Sequence, residues 1–169
     1  LNQYLVVGLG ALHGTTASVA NTALTGLLAM SALGVLFGGS VAARSERHYL
    51  ITAGGMLVTA VTTVLIAFFD PGALLLVLAI SLGGFASGMA VPSRDMIVRA
   101  VTPAGSFGKV FGFLTTGLHL GSVVAPLIFA QFLDHGHPRW VFLFIAVCSV
   151  LAILTISFGM SGRRTAEAA

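Results

Sequence analysis

The sequence predicts an all-α polytopic membrane helix bundle, with five complete transmembrane helices preceded by the end of a sixth. Two observations carry that expectation. Charged side chains make up only 8% of the 169 residues and hydrophobic ones 57%, with a mean hydropathy of +1.03; soluble domains carry about 25% charge. A chain so poor in charge cannot cover a globule with polar surface, so the bilayer must be its solvent. Second, the apolar residues fall into five runs, 20–41, 50–69, 74–92, 112–133 and 140–160. Each holds about 20 residues, roughly 30 Å as a helix, which matches the hydrocarbon core. Backbone in lipid must satisfy its own hydrogen bonds, and runs of this length mean helices rather than barrel strands.

Residues 1–10, "LNQYLVVGLG", are too short to cross and read as the end of a helix that begins earlier. There is no basic n-region and no small-residue cleavage site, so no signal peptide is expected. The chain opens on Leu1, and a longer parent polypeptide is the expectation. In the first run, Asn21 and Thr25 share a face near one end, and Gly34 and Gly38 pair further down. Thr59, Thr62 and Thr63 give the second run some polarity, and Gly84 and Gly88 pair in the third. For these glycine pairs helix packing is the expected role, because small residues four apart let a second backbone approach. "TPAG" offers Thr102 as N-cap and Pro103 as first helical residue, so the fourth helix is expected to begin before its apolar run. The last run is the most uniformly apolar and is expected to face lipid. Its single cysteine, Cys148, excludes an internal disulfide and reads as a small hydrophobe.

Charge placement orients the bundle. If the five helices alternate, Arg44 and Arg47 in "ARSERHY", then Arg94, Arg99 and Lys109, then Arg163 and Arg164 all fall on one side. The other side has Asp70 with Pro71 and the turn "DHGHPR" with Arg139. Seven of the eight cationic side chains thus share a side, which the positive-inside rule makes cytoplasmic. An integral protein of the plasma (inner) membrane with a cytoplasmic tail at 161–169 is the expectation. Tyr49, Phe68, Phe69 and Trp140 sit at predicted helix ends, where amphipathic rings settle at headgroup level.

The fourth run, "GFLTTGLHLGSVVAPLIF", carries the chemistry. Thr115, His119 and Ser122 are four and three residues apart and share a helical face, which Pro126 continues. Gly117, Gly121 and Ala125 make a stripe of small residues nearly opposite. A helix with one polar and one small face has little to show to lipid, so burial among other helices is expected. Two readings of His119 stand side by side. It is a neutral imidazole bonded to Thr115 or to a neighbouring helix, or it lines a solute pathway and titrates there, since ionisable groups at membrane depth are costly and often functional. Pro126 reads as a kink or weak point rather than a solute contact.

Several function classes are excluded. There is no HExxH, GxSxG or CxxC, and no pair of intramembrane aspartates, so no enzyme signature is present. Asp134, His135 and His137 read as a polar turn rather than a metal site, and no cofactor is expected. No glycine-rich phosphate loop indicates ATP use. The pI near 9.8 suggests a nucleic-acid binder, but cations scattered between apolar runs form no basic patch.

Three stretches resemble the C-terminal half of a major facilitator superfamily transporter. "GGSVAARSERH" is similar to the family's cytoplasmic loop motif at Gly39, Ala42, Arg44 and Arg47, with Ala43 and Glu46 in place of its Asp and second glycine. "PSRDMIVRAVTPAGSFGKVFG" is similar to the loop between the tenth and eleventh helices, through Arg94, Asp95, Pro103, Gly108 and Gly112. Gly112, Gly121, Ala125 and Pro126 echo the antiporter motif of the fifth helix, whose repeat-related counterpart is the eleventh. The resemblance implies that the five helices are the eighth to twelfth and that residues 1–10 end the seventh. It implies alternating access, with cytoplasmic loop charges latching one state and a small-solute site between this half and a missing N-terminal six-helix half. Asn21, Thr25, Thr115 and His119, with Ser122 beside them, would form this half's wall. The rival reading is a non-transporting bundle that scaffolds a partner.

Overall fold

A computed structural model describes residues 4–45, 47–69 and 72–167, with side chains as far as residue 155. Glu46, Asp70, Pro71 and the side chains of Arg163 and Arg164, used above for topology and loop motif, lie outside the described residues, as do residues 1–3 and 168–169. Six helices follow in order: α1 Leu5–His13, α2 Ala17–Arg44, α3 His48–Phe68, α4 Gly72–Val101, α5 Phe107–Asp134 and α6 Pro138–Glu167. Helices α2 to α5, and α6 over Pro138–Thr155, are long and apolar enough to cross a membrane.

Helix α4 is the centre of the bundle, packed on α2 and α3. The α2–α4 seam is made of glycine set against backbone. A Cβ on Gly84 would lie 2.5 Å from the Leu27 carbonyl oxygen, and one on Gly38 would lie 2.7 Å from Met89 Cα. Gly34 meets the Phe85 carbonyl and Gly88 the Ser31 carbonyl more closely still. Position numbers rise together along both helices, so α2 and α4 run parallel, which matches alternate crossings of one bilayer. On the other flank the order reverses, since Gly55 meets Ala86 and Ala90 while Gly83 meets Thr62, so α3 runs antiparallel to α4. With no hydrophobic force between helices in lipid, such dispersion-rich backbone approach supplies the attraction. Outward-facing Leu36, Phe37, Leu57, Leu74 and Leu82 are exposed and form the apolar coat that lipid covers.

Three features differ from the sequence expectations, and a fourth adds to one. Helix α4 runs through Pro92 to Val101, because proline deletes one hydrogen bond without ending a helix that neighbours hold. Thr102 does not cap α5; its hydroxyl donates to the Val98 carbonyl at 2.7 Å, closing α4. Gly105 then turns with φ +83°, and α5 begins at Phe107 after Ser106. Helix α6 leaves most of its described span unburied, as a lipid-facing helix does, but one face also packs on α3 and α1, burying Val141, Phe142 and Ala146. Hydropathy says that a helix avoids water, not whether lipid or protein replaces it. Finally, α5 is not buried within this chain, and Phe129 is its one buried residue. The small faces of α2 and α4 are spent on each other, and among the described residues nothing lies within 4 Å of a Cβ built at Gly117 or Gly121.

Candidate functional site

Helix α5 packs on other helices chiefly through its C-terminal part. Phe129 meets Tyr4, just before α1, edge-on at 5.9 Å and Phe144 of α6 at 6.0 Å. Phe132 adds contacts to Phe144 and Trp140 at 6.2 and 6.3 Å. Edge-to-face aromatic pairs of this kind contribute beyond the area they bury. Before Ala125 the helix is largely bare, and a Cβ at Gly112, Gly117 or Gly121 would find nothing within 4 Å. Pro126 stands where the free stretch becomes the anchored one.

Thr115, His119 and Ser122 are all exposed on that free stretch. Thr115 donates its hydroxyl to the Phe111 carbonyl at 2.7 Å, and Ser122 donates to the His119 carbonyl at 2.7 Å. Each hydroxyl has therefore used its hydrogen on its own helix and turns only lone pairs outward. His119 differs. Its ring makes no hydrogen bond to another described residue, so it is the group on the stripe that can both donate and accept. Thr115 is not its partner.

On α2, Asn21 and Thr25 are also exposed, on the side away from the glycine seam. Thr25 donates to the Asn21 carbonyl at 2.9 Å, which leaves the Asn21 amide free to reach outward. No hydrogen bond joins this pair to the α5 stripe among the described residues. The two clusters are thus polar patches on two helices, each hydrogen-bonded within its own helix.

At the end of the bundle where α4 leads into α5, Arg94 Nε and Nη2 both donate to Asp95 Oδ1, at 3.1 and 3.0 Å. Their side chains are 32% and 42% exposed, so solvent screens the pair and it contributes little to stability. Arg99 stacks over the Phe107 ring at 5.9 Å, bridging the α4–α5 turn. Arg44 and Arg47 are exposed, and Gly39 has open space around it. The Arg94 guanidinium is thus engaged by its own chain neighbour.

Sequence reasoning passed over two features. The aromatic anchor of α5 joins residues over 100 positions apart, which no local pattern reveals. A cavity among α1, α2, α3, α4 and α6 is lined by Ser31 and Ser87 as well as the α3 threonines; the threonine run was its one visible sign.

With that geometry in place, the family model described as Major Facilitator Superfamily matches residues 2–168. The chain belongs to the major facilitator superfamily. It is also similar to the Bacillibactin exporter of Bacillus subtilis (strain 168), 24% identical over 89 residues. That stretch is 52% of this chain and 22% of the exporter, so the chain spans about a fifth of the relative it matches. No solved structure matches. Family membership and the five apolar helices make this an integral membrane protein.

Proposed function

We propose that this chain is the C-terminal half of a secondary carrier that moves a small solute by alternating access. The observation that carries the reading is the bare, polar face of α5. A helix at membrane depth that turns Thr115, His119 and Ser122 outward, with nothing of its own chain against most of its length, needs a polar or protein neighbour, because lipid is a poor one. A second six-helix half set against α5 and α2 supplies that neighbour, and a solute site lies between the halves, as in two-repeat carriers. Asn21, Thr25, Thr115, His119 and Ser122 form one wall of it. His119 is the hydrogen-bonding pivot, since it can donate to solute while the hydroxyls accept. The side rich in Arg44, Arg47, Arg94, Arg99 and Lys109 is cytoplasmic, in the plasma membrane.

The test is flux. The full-length carrier is reconstituted in liposomes and challenged with a solute panel that begins with bacillibactin, the substrate in the relative's name. A saturable, protonophore-sensitive flux that falls at least tenfold in His119→Ala supports the reading. Absence of flux for every solute, from protein that is folded and correctly inserted, overturns it in favour of a scaffold.

A further inference from the structure

The cavity inside the bundle lies apart from the α5 face, since no α5 residue lines it. Its volume is about 190 Å³; a cavity of roughly 150 Å³ with apolar walls accepts benzene. One part of its wall is apolar, made by Leu5, Ile66, Ile80 and the fully buried Phe142. The other part is a cluster of hydroxyls, Ser31, Thr59, Thr62, Thr63 and Ser87.

The hydrogen bonding of those hydroxyls restricts the ligand. Thr59 donates to the Gly55 carbonyl at 3.0 Å, Thr62 to Val58 at 2.8 Å, Thr63 to Thr59 at 2.9 Å and Ser87 to Gly84 at 2.9 Å. Four hydroxyls thus present lone pairs alone, while Ser31 makes no such bond among the described residues and keeps a donor. The matching group donates one hydrogen to a threonine or Ser87 oxygen and accepts one from Ser31, which describes a hydroxyl. Charge is disfavoured, because no acidic or basic side chain lines this cavity to offset desolvation. Water alone would satisfy the polar end, but a water needs two to four polar partners and the apolar end offers none.

We propose that this cavity is a binding site for a small neutral amphiphile, a hydroxyl borne on an aromatic ring or short chain, of the class of benzyl alcohol. The hydroxyl sits among Ser31, Thr62, Thr63 and Ser87, and the ring lies against Ile80 and Phe142. The site is independent of the solute path, so it holds or fails whether or not flux is found.

The test uses the full-length protein in detergent, with 4-fluorobenzyl alcohol and 4-fluorotoluene followed by fluorine NMR. The alcohol is expected to give a saturable bound signal. Thr62→Val with Thr63→Val should weaken the alcohol at least tenfold and leave the toluene within about twofold, because only the acceptors are removed. Ser31→Leu should abolish both by filling the space. Should that variant not fold, Gly83→Ala serves: its new methyl meets Thr62 at an ordinary 3.5 Å, and it should weaken both ligands. Unfolding midpoints report on the fold of each variant. An alcohol signal that does not saturate, or one equal in all folded variants, overturns the proposal and leaves micelle partitioning or a water-filled cavity.

Discussion

At the scale of single residues, the α2–α4 seam depends on four absent side chains. A Cβ at Gly84 would press on the Leu27 backbone at 2.5 and 3.0 Å, and backbone cannot swing aside as a side chain can. Gly84→Val is therefore expected to destabilise the bundle by about 3 kcal/mol or more, the upper end for overpacking. Gly54, exposed on α3 with nothing within 4 Å, is the control. Gly54→Ala should be neutral or stabilise by up to about 1 kcal/mol through helix propensity. Thermal unfolding in detergent measures both, and equal midpoints would show that the helices are not in backbone contact. Spacing four apart made these pairs legible in the sequence. It did not say which helix each pair meets, because a stripe of small residues has no address. Gly117 and Gly121 have the same spacing, and a Cβ at either finds nothing within 4 Å among the described residues.

At the scale of the helix, α5 shows why periodicity alone misjudges burial. Its two-faced pattern says that neighbours are required, but not that this chain supplies them. Helix α6 is the converse case: its uniform apolarity suits lipid and protein equally, and the structure sets it on α3. What secures α5 is the aromatic cluster, with Phe129 5% exposed between Tyr4 and Phe144. Phe129→Ala should cost about 3–5 kcal/mol through the cavity it leaves. It should also free α5, which limited proteolysis at the 102–106 turn and at the 135–137 turn would reveal as faster release. Thr116→Val, on the bare stretch, should change neither stability nor cleavage. Unchanged cleavage in a folded Phe129→Ala protein would mean that contacts elsewhere hold α5. The polar stripe makes a separate demand. Thr115→Val removes an outward lone pair while keeping size, and under the carrier reading it should lower flux several-fold with the unfolding midpoint held. A fall in midpoint with flux unchanged would assign Thr115 to structure.

At the scale of the whole molecule, the membrane bundle and the polar faces were legible from composition and spacing. The interior cavity and the joining of α1, α5 and α6 were not, because both arise from residues distant in sequence. The same separation decides a last prediction. Gly121 is exposed, with nothing within 4 Å of where its side chain would begin. In this half alone, Gly121→Leu should therefore leave the unfolding midpoint unchanged, since the new side chain enters open space. In a complete carrier, where a second half closes on α5, the same leucine takes up room that a facing backbone needs. Overpacking of that kind costs about 1–3 kcal/mol, enough to bias the rocking equilibrium of the two halves about tenfold. Flux by the full-length variant should fall accordingly, while Leu118→Ile at the neighbouring position should not change it. Cysteines at 117 and 121 cross-linking to the other half would mark the contact directly. Normal flux in Gly121→Leu, without such cross-links, would place this face of α5 against lipid and leave the polar stripe as the only surface turned to the second half.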